Sequence, residues 1–159
     1  MKKILVTISI IIIIIVFIIL EIINLNSDKN ITIDIQKLGE ELSNSEIFED
    51  SISLVNKESI IKKYDLDTEK IKNVIAYEGS GATAEEILLI ELFNKDDKNT
   101  IKEKIEAKIE ERKQDFENYL PKEVFKLENY NLESKGSYII LCISNDCNKA
   151  KEIIEENIK

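Results

Sequence analysis

Between Ile4 and Leu20 the chain carries no charge, and nearly every residue is Ile, Leu, Val or Phe. Glu21 interrupts the run and Ile22 and Ile23 extend it. A helix needs about 20 apolar residues to cross roughly 30 Å of hydrocarbon. In lipid the backbone must satisfy its own polar groups, so even an Ile-rich segment becomes helical there. Residues 4–23 are therefore read as a membrane anchor, preceded by a short basic stub containing Lys2 and Lys3. Basic residues stay on the cytoplasmic side, which exports everything after residue 24. A cleaved signal peptide would want a shorter apolar core and small residues at the cleavage site. Glu21-Ile-Ile-Asn-Leu-Asn26 offers bulky ones.

The expected organisation is a cytoplasmic stub and anchor over 1–24, a polar linker over 25–30, and one extracytoplasmic domain over 31–159, a normal domain length. Setting aside Lys2, Lys3 and Glu21, the rest carries 20 basic and 30 acidic residues, a net charge of −10. Such a surface is repelled by nucleic acid and by anionic lipid, so no nucleic-acid partner is expected. Solubility is explanation enough for the charge.

Periodicity gives the domain an α+β reading. Ile31, Ile33 and Ile35 alternate with polar residues, as on a half-buried strand or an extended lead-in. Leu38 and Leu42 make a short helical face that Gly39 weakens. Asn56 reads as a helix N-cap, with Val55 and Ile60 placed as a hydrophobic staple. Ile71–Tyr77 and Ile87–Phe93 read as strands joined by Glu78-Gly-Ser-Gly-Ala-Thr-Ala84, where glycine would supply positive φ in a hairpin turn. A long helix from near Thr100 carries Ile101, Ile105, Ile109, Phe116 and Leu120 as a narrow stripe, and Pro121 should end it. Leu127–Glu133 and Tyr138–Ser144 form a second strand pair around Lys135-Gly136. The second of these strands is apolar on both faces, so it should be central and covered on both sides. Asn145 or Asp146 would cap a last helix buried through Ala150, Ile153, Ile154 and Ile158. The expectation is one antiparallel sheet of about four strands, built from a ββα unit used twice, with the two longer helices on one face.

The chemistry is sparse. The chain has no His, which excludes Ser–His–Asp and Cys–His catalysis as usually built. Two Cys are too few for a structural zinc site, so no metal or other cofactor and no catalytic residue is assigned. Cys142 and Cys147 would fall on the exported side, where a disulfide is permitted. A domain of this size needs none, and two small buried hydrophobes is the simpler reading. Asp65, Asp67 and Glu69 alternate like calcium ligands, but Lys70 and Ala76 stand where such a loop wants Gly and Glu, so a turn is preferred. Glu85 and Glu86, adjacent on a strand, should face opposite sides and are not by themselves a glycosidase pair. Lys102 through Lys113, Arg112 included, reads as a solvated mixed-charge helix face. Gly79, Ser80, Gly81 and Thr83 could cradle an anion but lack the following Gly-Lys-Ser/Thr and lead into a strand. As an exposed connector with backbone N–H groups they are nonetheless the place to look for a ligand.

Gly79-Ser-Gly-Ala-Thr-Ala-Glu-Glu-Ile87, the charged helix, Phe116-Glu-Asn-Tyr-Leu-Pro-Lys-Glu123 and Gly136-Ser-Tyr-Ile139 together resemble an uncharacterised bacterial family, the domain of unknown function catalogued as four-three-five-eight. The likeness runs from about Tyr64 to Ile154. It implies a small extracytoplasmic protein of low-GC Gram-positive bacteria, anchored or lipid-modified. No Cys occurs before Cys142, so none stands at the end of the apolar run and a lipid anchor is not expected. The resemblance implies no activity. The function expected is a non-catalytic binding or accessory module of the cell envelope, with a protein or peptide partner. The alternatives are a carboxylate-dependent enzyme acting on cell-wall material and a thiol-redox protein using Cys142 and Cys147.

Overall fold

The computed structural model describes residues 10–19 and 31–158. The chain divides into two compact units, 1–31 and 32–159. In the first, residues 10–19 form a helix, α1, with exposed side chains. Among the described residues no helix is long and apolar enough to cross a membrane. The stub, both ends of the 4–23 run and the linker lie outside the described residues.

The second unit is an α+β domain. Its order is α2 (Ile35–Ser43), β1 (Ser53–Leu54), α3 (Lys57–Lys63), β2 (Ile71–Glu78), β3 (Glu86–Leu92), a 3-10 turn (Lys95–Asp97), α4 (Lys98–Glu117), α5 (Pro121–Glu128), β4 (Asn131–Lys135), β5 (Tyr138–Ile143) and α6 (Cys147–Glu156). The sheet has five strands in the order β1-β2-β3-β5-β4, every neighbouring pair antiparallel. About four were expected. The fifth, β1, is a two-residue edge strand, too short to show any period in sequence.

Strand alternation sends β3 residues to two cores. Leu88, Ile90 and Leu92 join Val74, Ala76, Ile139, Leu141 and Ile143 in one cluster with Ile60 and Tyr64 of the α3 region, Ile101, Ile105 and Ile109 of α4, and Leu127 of α5. Ile87 and Leu89 pair in register with Tyr77, Ile75, Cys142 and Ile140. This second face is covered by α2, which meets β2, β3 and α6, while α6 meets β4 and β5. The two longer helices thus lie on opposite faces, not on one. A strand with all six residues buried, as in β5, requires that double cover. Each fully buried Ile or Leu contributes about 1.5–3 kcal/mol, so neither face could be left bare.

Local signals explain the element ends. Asp34, Asn56 and Asp146 cap α2, α3 and α6, accepting from the N–H groups of Lys37, Glu58 and Lys149. Of the two residues proposed for the last cap, Asp146 is the one used. Residues 31–34 are an extended lead-in, not a strand. Pro121 does not end α4, which stops at Glu117; it opens α5 at the first helical position. Its missing N–H needs no partner there and its φ suits the turn. Consequently Leu127 and Glu128, expected in a strand, are helical. Gly136, at φ 58°, makes the turn between β4 and β5. Asp65 also has positive φ, 49°, and Lys104 Nζ donates to both its carbonyl and its carboxylate, the latter at 2.6 Å. Asp67 accepts from the N–H of Glu69 at 3.0 Å, so this acidic stretch is a turn.

Candidate functional site

The site begins at the start of β3, where the neighbours Glu85 and Glu86 are both buried and engage different partners. Glu86 accepts from the Tyr64 hydroxyl at 2.7 Å, Lys63 Nζ at 2.8 Å and Arg112 Nη1 at 2.7 Å. Lys63 also reaches Glu78 at 2.7 Å. Burial, then the Glu86 carboxylate, pushes the Tyr64 phenol well above its ordinary value, so it stays a donor. Glu85 accepts from the backbone N–H groups of Glu49 (2.8 Å) and Asp50 (2.9 Å) and from Lys126 Nζ (3.0 Å). Lys126, on α5, also lies 3.2 Å from Glu123 and 3.3 Å from Glu49. Desolvation pulls the Lys126 pKa down, but its bonds to Glu85 and Glu123 outweigh that and raise it.

The connector between β2 and β3 is fastened to these groups. Ala84 donates its N–H to Glu123 at 2.7 Å, and its carbonyl accepts from Arg112 Nη2 at 3.0 Å. Asp50 accepts from the N–H of Ser80 at 2.6 Å, with Thr83 Oγ1 at 3.4 Å. Its hydrogen bonds from Ser80 hold the carboxyl below the ordinary range. Helices α4 and α5, the 47–51 loop and the connector are therefore clamped by one set of buried ion pairs. Unpaired, such charges would be prohibitively costly to bury.

Beside this clamp lies an open groove of about 510 Å³, lined by Lys63, Glu78, Gly79, Ser80, Gly81, Thr83, Glu85, Arg112, Asp115, Phe116, Tyr119 and Leu120. All four residues singled out in the connector line it. The reason for its glycines differs from the one expected, because neither Gly79 nor Gly81 has positive φ. A Cβ on Gly79 would collide with Thr83 Oγ1 and lie 3.3 Å from Asp50; at Gly81 it would meet open space. The opposite wall is apolar and exposed, with Tyr119 82 % and Leu120 40 % accessible, and Phe125 of α5 is exposed as well.

The cysteines lie elsewhere and are free thiols. Burial pushes Cys142, within β5, up to about 12, and desolvation also raises Cys147. Cys147 Sγ donates to the Asn129 carbonyl. A redox thiol needs the opposite shift. Among the described residues no group of three or more His, Cys, Asp or Glu side chains is placed to hold a metal ion.

Sequence reasoning missed the clamp's partners. One signal was available: Arg112 is the only arginine in the chain, and it stands three residues after Ile109 on the buried stripe of α4. A planar fork of donors is what a shared carboxylate and carbonyl call for.

A protein-family model described as a domain of unknown function, DUF4358, matches residues 45–144. The chain belongs to this family. The DUF4358 segment contains the whole clamp and the groove, while α2 and α6, which cover the second face of the sheet, fall outside it. No curated protein matches the chain, and no solved structure does.

Proposed function

We propose that this DUF4358 domain is a non-catalytic docking module of the cell envelope. In this reading residues 4–23 hold it at a membrane, the N-terminus is cytoplasmic and the domain is extracytoplasmic. Its partner is an envelope protein, and the groove beside the connector receives it. The observation that carries the proposal is the groove's division of labour. One wall offers exposed Tyr119 and Leu120; behind the other, Lys63 and Arg112 are locked onto Glu86. General acid–base chemistry needs a group free to exchange a proton with a substrate, and the buried groups here are committed to one another. An exposed aromatic beside a cleft suits non-covalent anchoring instead. Tethering supports weak contacts by raising the local concentration of membrane neighbours.

The test is a photo-crosslinking amino acid placed at Tyr119, and separately at Asn99 near the other end of α4, in the full chain within the cells that make it. One dominant protein adduct from position 119 and none from 99 is the expected result. Equal capture at both positions, or none at either, would sink the proposal.

A further inference from the structure

The groove's charge says what kind of segment it takes. Glu86 is fully buried and engages both Lys63 and Arg112, which leaves neither cation free for a ligand. Lys126 is spent in the same way on Glu85 and Glu123. Of the acidic lining groups, Glu85 is buried and fully engaged, while Glu78 and Asp115 are less committed. The Glu78 side chain is 31 % exposed and shares Lys63 with Glu86. Asp115 is exposed and, among the described residues, its carboxylate has no ion-pair or hydrogen-bond partner. It stands on α4 four residues before Tyr119, whose ring is open to solvent. A free carboxylate near an exposed aromatic face is a pairing that attracts ammonium and guanidinium groups. Phe116 and Leu120 add an apolar seat beside it. The exported part carries a net charge of −10, which would draw a cationic segment in and repel an acidic one.

We infer that the groove binds a basic peptide segment of the partner protein, its Lys or Arg meeting Asp115 and Tyr119 and an apolar side chain seated on Phe116 and Leu120. This rests on the docking reading above. A second copy of the chain is a poor occupant, because its surface repeats the same negative charge. An anionic lipid surface is disfavoured for the same reason.

The full chain in non-ionic detergent micelles would be titrated against three labelled synthetic peptides of equal length. They share one Phe or Leu anchor and carry Lys, Ser or Glu at the variable positions. The Lys peptide should bind about tenfold more tightly than the Ser peptide, and the Glu peptide more weakly still, with the spread collapsing as salt shortens the Debye length from about 10 Å to about 3 Å. Asp115→Asn should shrink the preference and Asp115→Lys reverse it; neither removes a contact the fold uses. Tyr119→Ala should weaken the Lys peptide about fivefold. Equal binding of the three peptides overturns the inference, as does a Lys preference indifferent to both Asp115 variants and to Tyr119→Ala. If the peptides show no charge preference while photo-capture at Tyr119 succeeds, the basic-segment inference falls alone. If both fail, the docking proposal falls with it.

Discussion

Glu86 concentrates more of the domain's electrostatics than any surface pair. Two carboxylate oxygens accept from a phenol, an ammonium and a guanidinium, and the side chain is fully buried. Removing one partner of a buried ionic cluster leaves the others desolvated and unpaired, which costs about 3–5 kcal/mol. Glu86→Ala should therefore lower the urea unfolding free energy by about that much. Lys149→Ala, whose pairing with Glu152 is exposed and screened by solvent, should leave it nearly unchanged. Similar small losses for both variants would show that the clamp does not hold the domain together. Part of this was legible. The apolar run after Glu85 and Glu86 marks a buried strand, β3. What the sequence concealed was the partners, because Lys63, Arg112 and Lys126 come from three different helices, and no local spacing ties them to Glu85 and Glu86. Arg112 was submerged in a mixed-charge helix face although it is the only arginine.

At the scale of elements, periodicity located every helix and strand longer than two residues in the domain except the 3-10 turn and α5, and it erred where a single residue has two uses. Pro121 can stop a helix or start one, and three residues separate α4 from α5. The long stripe of α4 spoke for one packed face. The cover on the other face comes from α2, a nine-residue helix that its glycine made look weak. That glycine is where α2 approaches the sheet. A Cβ on Gly39 would lie 3.0 Å from Cε2 of Tyr77 and 3.4 Å from side-chain carbons of Ile75 and Leu89. Ala is favoured over Gly within a helix by about 1 kcal/mol, while overpacking costs about 1–3 kcal/mol. Tyr77 is only 8 % exposed and cannot easily retreat. Gly39→Ala is therefore expected to destabilise the domain by about 1 kcal/mol, seen as a lower thermal midpoint. A higher midpoint would mean that the ring yields and that the glycine is not needed for close approach.

For the whole molecule the decisive question is which side of a membrane the domain occupies. The charge-free run from Ile4 to Leu20 and the basic pair before it argue for export. The folded domain adds a compatible fact: its two cysteines are free and protected, one within β5 and one against the Asn129 carbonyl. Its stability comes from two apolar layers and the clamp, so it needs no disulfide and folds by the same physics on either side. In the proposed reading topology is set by Lys2 and Lys3, since charges within the nearest flanks orient a single span. An alkaline phosphatase joined after Lys159 matures only when exported. The fusion should be active and should sediment with membranes. Replacing both lysines by Glu should cut its activity severalfold, because the retention signal at the N-terminal flank is gone while the apolar run is unchanged. An inactive fusion in the membrane fraction would place the domain in the cytoplasm and remove the envelope partner from the proposal. Activity that survives the charge reversal would instead mean that Lys2 and Lys3 do not set the orientation.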